Sequence, residues 1–347
     1  DENHVLNEIR MPETPVMENV AQGVLDAIYH PIGMPPINEL IKPGQTVTFI
    51  CNDPTRVANS FDFMPVLVNE MNKLGIPDEG FEYFGTTSRF TPVLIHKKIC
   101  HSDHVILTGT IVHHYFSGYG GGRKAVLPGC AAMETVRHNH SFMLDPNSGL
   151  GKTAGNPVYE DQMEGTALWA AAMQKRGCNV FLFNAILDAE HRFLRMFAGH
   201  YIDAHIEACK FVDQVYGVKI KKQADVVIVS CGGYPKDINV YQMQKTMDNS
   251  VLACRQGGVV ILLAECEEGS GSKVLEETCK RLKTADAIEA ELRKRFVIGA
   301  NKAYAVTRLT KKAHFILVTG LDKKMAQEML FTDAVGSVEE ALAEAEK

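Results

Sequence analysis

Six short β-branched, apolar runs alternating with stretches of helical spacing predict an α/β protein: two α/β domains whose largely parallel sheets enclose an interdomain cleft. The runs are Thr46 to Ile50, Val105 to Leu107, Val180 to Phe183, Val226 to Val229, Val259 to Leu263 and Phe315 to Val318. They are almost continuously apolar and bounded by Gly, Asp, Asn or Lys, as strands buried on both faces require. The chain's 347 residues, 46% hydrophobic and 22% charged, are also more than one core ordinarily organises.

In chain order, helical spacing predicts helices over Asn19 to Tyr29, Ala58 to Leu74, Tyr159 to Lys175, Ile202 to Tyr216, Asn239 to Arg255, Lys273 to Arg293 and Val338 to Ala345. Three strands run into polar or glycine-rich turns: Cys51-Asn52-Asp53, Gly109-Thr110 and Cys231-Gly232-Gly233. In open α/β sheets ligands sit at that carboxyl edge. The polar stretch Gly217 to Ala224 marks the domain boundary. Residues 1–216, with the terminal segment 333–347 packing back on them, form a cofactor-binding domain, and 217–332 form a smaller substrate-contacting domain.

A net charge of −6 and a pI near 6.1, with 36 Lys and Arg scattered along the chain, leave no basic field for nucleic acid. No apolar run approaches the roughly 18 to 20 residues of a membrane span, and the first thirty residues lack a secretory pattern, so a cytoplasmic location is expected. The chain opens on Asp1 instead of Met, which reads as a natural N-terminus lying upstream. Nine cysteines stand singly with no CxxC pair, which indicates neither a zinc site nor a disulfide framework.

Chemistry concentrates in three segments. The first, His113 to Gly129, contains Ser117, Gly120, Gly121, Gly122, Arg123, Lys124, Pro128 and Gly129 directly after a strand. Glycines let backbone N–H groups approach an anion, so a phosphate cradle competes with a solvated surface loop; neither common nucleotide-loop pattern is present. His114 and His140 bracket the loop. The second, Asp53-Pro54-Thr55-Arg56, lies at a strand-to-helix turn and offers either a helix cap or a carboxylate clamp. The third, Gly232 to Lys245, feeds a helix whose Gln242 and Lys245 share one face near its N-terminus, beside Tyr241. It offers either an anion site or a solvated polar face.

Taken together, Asp53-x-Thr55-Arg56, His114 with Ser117-Gly-x-Gly-Gly-Gly-Arg-Lys124-x-x-x-Pro128-Gly129, Asn139-His140, and Gly232-Gly-Tyr-Pro-Lys-Asp237 leading to Tyr241-Gln242-x-x-Lys245 resemble the nickel-dependent lactate racemase family. The similarity runs from about Ala27 to the C-terminus. It implies a nickel pincer nucleotide, a pyridinium-3-thioamide-5-thiocarboxylate mononucleotide bonded covalently to Lys124, with nickel also held by His140. Ser117, Gly120, Gly121, Gly122, Arg123, Pro128 and Gly129 would cradle this cofactor.

The same resemblance implies racemisation or epimerisation of a small 2-hydroxy acid by reversible transfer of the α-hydrogen as hydride. His114 would be one acid–base group, and Arg56, Tyr241, Gln242 and Lys245 would hold the substrate, with Asp53 in support. The implied partners are the substrate and the proteins that make the cofactor. The alternatives are one-sided redox or non-catalytic binding of the same nucleotide, or plain anion or sugar-phosphate binding.

One departure stands out. The family's second acid–base histidine belongs to a Gly-x-His-Arg motif ahead of a Gly-Thr-Thr-x-x-x-Thr-Pro-Val segment, yet here Leu74 runs almost directly into Gly85-Thr86-Thr87. Either this sequence passes over that stretch or the protein lacks it and cannot be a two-base racemase. The first reading is preferred, because a real deletion would remove a central strand together with a catalytic group.

Overall fold

The computed structural model describes residues 14–40, 47–50, 80–329, 331 and 333–346. The expected helix from Ala58 to Leu74, with Asp53 and Arg56 ahead of it, lies outside these residues. The described chain divides between Val218 and Lys219 into two compact units.

The first unit begins with α1 (Val20–Tyr29), capped by Asn19, whose side chain accepts from the Gln22 N–H, and the short α2 (Ile37–Leu40). Then come β1 (Val47–Ile50), the antiparallel pair β2 (Phe81–Thr86) and β3 (Pro92–His96), β4 (His104–Thr110) and the short β5 (His113–His114) and β6 (Ser117–Tyr119). α3 (Met133–Ser141), β7 (Gly149–Leu150), α4 (Pro157–Lys175), β8 (Asn179–Leu187), β9 (Phe193–His200) and α5 (Asp203–Tyr216) complete it.

The main sheet runs β1-β4-β8-β9, parallel except for the β8–β9 pair. Alternation along it feeds two cores. Val105, Leu107, Val180 and Leu182 face Trp169 and Met173 of α4, while Ile106, Phe181 and Phe183 face α1. Burial on both faces accounts for the unbroken apolar runs. α4 starts where local chemistry directs it: Asn156 accepts from the Val158 and Tyr159 N–H groups, and Pro157 takes the first position, where no intrahelical donor is needed.

The second unit contains β10 (Ala224–Ser230), α6 (Val240–Ala253), β11 (Cys254–Leu263), α7 (Lys273–Leu282), α8 (Ala285–Lys294), α9 (Ala300–Thr310), β12 (Ala313–Val318), α10 (Lys323–Glu328), β13 (Asp333–Val335) and α11 (Val338–Ala345). Its sheet, β10-β11-β12-β13, is parallel throughout.

Two expectations are corrected. The helix foreseen over Lys273 to Arg293 is two helices, because Lys283 takes a left-handed conformation (φ 58°) and Thr284 caps the next segment by accepting from the Ala287 N–H. The segment 333–347, expected to return to the first unit, groups with the second. Its strand β13 pairs with β12, and α11 lays Ala341 on Ile261 and Ile316, so apolar pairing ties it to the second sheet.

Candidate active site

The glycine-rich loop sits over the carboxyl ends of β4 and β8. Gly120 donates its N–H to the Val112 carbonyl at 2.8 Å, and Gly122 donates to the Asn184 Oδ1 on β8 at 2.7 Å. Gly121 and Gly122 have φ of 65° and 55°. A side chain on Gly121 would come within 2.6 Å of Ile111 and 2.7 Å of Asn184. These glycines let the loop lie flat on the sheet edge, and the amides of Gly120 and Gly122 are already engaged there. Residues Gly122–Ala125 form one 3-10 turn, closed by the Gly129 N–H donating to the Lys124 carbonyl at 2.9 Å after Pro128.

Arg123 points beneath the loop and is fully buried. One of its nitrogens donates to the Ser117 and Tyr119 carbonyls at 2.7 and 3.2 Å, and the guanidinium lies over the Tyr159 ring at 4.0 Å. Among the described residues its Nε and Nη1 find no hydrogen-bond partner, and burial pulls its pKa down to about 10. Ser117 is likewise buried, its hydroxyl 3.5 Å from the Tyr119 carbonyl. Both side chains, expected from the sequence to contact phosphate, are engaged with loop carbonyls.

Lys124, next to Arg123, is half-buried at the loop's end. His140 on α3 lies sixteen positions later, yet the fold brings it close enough to feel the lysine's charge. Burial first, and Lys124 second, push its pKa down to about 3, so the imidazole is neutral near pH 7 with a lone pair to offer. Its ring contacts Phe116 edge-on at 5.1 Å, and Phe116 contacts His114 at 4.6 Å. His114 also stacks on Tyr115 at 5.0 Å, and its Nδ1 accepts from the Ser117 N–H at 3.3 Å. The three sequence-chosen groups His114, Lys124 and His140 therefore belong to one neighbourhood. The adjacent His113 is bonded elsewhere, to Asp213 at 2.8 Å.

In the second unit, Asn239 caps α6 by accepting from the Gln242 N–H at 3.1 Å. Lys245 donates to the Gln242 Oε1 at 2.7 Å, which places both on one face. Tyr241 lies under the ammonium of the buried Lys302, 4.6 Å from its ring centre. Lys302 donates to Gln244, which donates in turn to Asp248, and Arg308 pairs with the same carboxylate. Burial outweighs those cations and raises Asp248 to about 6.

Sequence reasoning passed over the groups that hold these side chains: Asn184, Asp161, Gln162 and His205 in the first unit, Gln244, Asp248 and Lys302 in the second. A signal for two of them was available. In α4, Asp161 and Gln162 occupy the same buried phases as Gly165, Thr166 and Trp169, and polar residues at core positions need partners. Helix α3, which carries His140, was not foreseen, since only Thr135 and Asn139 of it are buried.

A family model described as the lactate racemase N-terminal domain matches residues 1–83 and 77–151, and one described as the lactate racemase C-terminal domain matches 219–347. The two N-terminal matches overlap at residues 77–83, where the expected histidine motif is missing. A lactate racemase of Thermoanaerobacterium thermosaccharolyticum is 30% identical over 71% of this chain and 66% of its own length. One of Lactiplantibacillus plantarum is 27% identical over 73% and 68%. The chain thus spans about two thirds of the length of these relatives. The structure of the T. thermosaccharolyticum lactate racemase apoprotein superposes with a TM-score of 0.83 at 27% identity, over 94% of this chain and 87% of that one. A Thermotoga maritima protein shares the fold at a TM-score of 0.65 and 14% identity, over 86% of this chain and 89% of that one.

Proposed function

The chain belongs to the lactate racemase family, and from that premise we propose that it is a racemase or epimerase of small 2-hydroxy acids that works with a nickel pincer nucleotide on Lys124. The observation that carries this reading is the gathering of His114 and His140 on either side of Phe116 near the Lys124 loop, with burial favouring the neutral His140 imidazole. A lysine amine suits a covalent tether, and a neutral imidazole suits nickel, whose square-planar sites accept nitrogen and soft sulfur donors. The nucleotide is assigned to the outer side of the loop around Lys124, because Arg123 and Ser117 face inward.

When bound, such a group supplies a centre that takes an α-hydrogen with its electron pair and returns it to either face of the planar 2-keto acid. This chain's residues do the rest. His114, its ring plane held by Tyr115 and Phe116, is assigned the hydroxyl proton, removing it on oxidation and restoring it on reduction. Lys245 and Gln242, joined by their own hydrogen bond, are assigned the substrate carboxylate, and Tyr241 and Arg56 are assigned further substrate contacts. Asp53 is assigned to support Arg56. The partners in this reading are the 2-hydroxy acid and the proteins that build the cofactor, in the cytoplasm. Among the described residues no helix is long and apolar enough to cross a membrane.

The test is co-expression with the cofactor-synthesis enzymes, followed by peptide mass analysis, nickel quantification and chiral assay on lactate and longer 2-hydroxy acids. A nickel-bearing adduct on the Lys124 peptide, with interconversion of one acid's enantiomers, is expected. An unmodified Lys124 alongside a loaded control racemase would overturn the reading.

A further inference from the structure

The side chain of His140 does not choose its own tautomer. Its Nδ1 faces the Asn139 Oδ1 at 3.2 Å, and which atom of that amide faces the ring is decided by its other contacts. Asn139 is fully buried. Its Nδ2 donates to the Asp161 Oδ2 at 2.8 Å and to the Val158 carbonyl at 3.2 Å. Two accepting oxygens on that side require the NH2 group there, which turns Oδ1 toward His140. Gln162 Nε2 donates to the same Oδ1 at 3.0 Å and reinforces the orientation.

Asp161 is in turn held from its other side. It is fully buried, and it receives the hydroxyl hydrogens of Thr87 at 2.5 Å and Thr91 at 2.9 Å. The Thr91 N–H donates to the Thr87 Oγ1 at 3.1 Å, which directs the Thr87 hydroxyl hydrogen toward the carboxylate. Three donors converge on one carboxyl group, and no flip of Asn139 preserves them.

We propose that Asp161 is a positioning residue: acting through Asn139, it holds His140 as the Nδ1–H tautomer, leaving Nε2 as the nitrogen with the lone pair. The inference rests on the assignment of His140 as the nickel ligand for its use and for its nickel readout, but not for its tautomer readout. Among the described residues no hydrogen bond reaches Nε2. Metal-bound histidines elsewhere are oriented by such an acceptor on the second ring nitrogen, and losing that acceptor ordinarily costs about 10- to 100-fold in metal affinity. Here the acceptor is an amide whose direction a buried carboxylate sets.

The experiment uses full-length protein labelled with 15N-histidine, without cofactor, at one fixed pH near 7.5. Long-range proton–nitrogen correlation reads the tautomer, and the His140 signals are identified by their loss in His140→Gln. The expected spectrum shows a protonated Nδ1 and a bare Nε2. In Asn139→Leu and Asp161→Asn the hydrogen should shift toward Nε2. After cofactor loading, these variants should retain about 10- to 100-fold less nickel while Lys124 still carries the adduct. A protonated Nε2 in the wild-type protein overturns the proposal whether or not the variants fold. Folded variants that keep the wild-type tautomer and nickel content overturn it too. A wild-type protein with the expected tautomer but no adduct on Lys124 supports the positioning role and overturns the cofactor reading instead.

Discussion

Gly122 and His205 are packed so closely that a Cβ on the glycine would lie 2.5 Å from the imidazole Cδ2. His205 is itself buried, with its Nε2 donating to the Gly120 carbonyl at 2.9 Å. The loop that carries Lys124 is therefore seated on a histidine from α5, 83 positions away in sequence.

Gly122→Ala should destabilise the protein by at least about 2 kcal/mol, from the left-handed backbone strain and the displacement of His205 together. Gly155→Ala is the control, because its φ of 76° carries the same strain while nothing lies within 4 Å of the added carbon. It should cost only about 1 to 2 kcal/mol. Urea unfolding of both variants checks the difference, and equal losses would remove the His205 contact as the cause.

Stability should fall as the solution is acidified below pH 6.5. Burial first, and Arg123 second, hold the His205 pKa at about 3, below the ordinary histidine value of 6.5. The unfolded chain then binds the proton more readily than the folded one. The histidine's contribution is complete above pH 6.5 and is lost as pH drops toward 3, at up to about 1.4 kcal/mol per pH unit. His140, depressed in the same direction, adds to the slope. Urea midpoints between pH 7.5 and 4.5 measure it, and His205→Gln should show a shallower decline than wild type.

Phe90→Gly should leave the protein as stable as wild type or up to about 1 kcal/mol more stable. Phe90 is 80% exposed at the tip between β2 and β3, with φ of 65°. A bulky residue there carries backbone strain that glycine lacks, and it buries little in return. A thermal midpoint lowered by several degrees would show that the ring has a packing partner.

Lys124→Gln and Lys245→Gln should fail differently if the proposed function is right. The first should carry no adduct and no activity at any substrate concentration. The second should carry the full adduct but bind 2-hydroxy acid about 10- to 100-fold more weakly, the scale of a lost charge-assisted bond to a carboxylate. Mass analysis of each variant, with KM and kcat measured separately, makes the distinction. Loss of the adduct in Lys245→Gln would contradict the assignment.

Much of this molecule is readable from its chain alone. The six apolar runs are strands because β-branched residues in continuous stretches suit a sheet covered on both faces, and Asn19, Asn156 and Asn239 cap the helices they precede because their short side chains reach local N–H groups. The grouping of His114, Lys124 and His140 was legible as motif spacing. Less legible were the break at Lys283 and the attachment of 333–347, since both depend on choices between nearly equal local alternatives.

What the chain by itself determined was element type and the two-unit layout, because these follow from local periodicity, while its motifs nominated the side chains for the proposed chemistry. Only the tertiary structure decided how those side chains and their neighbours are placed. It turned Arg123 inward onto Tyr159, made Gly121 and Gly122 packing glycines against Asn184 and His205, and kept His140 neutral. Each of these outcomes depends on atoms contributed by distant parts of the chain, and burial and hydrogen-bond direction exist only once those atoms meet.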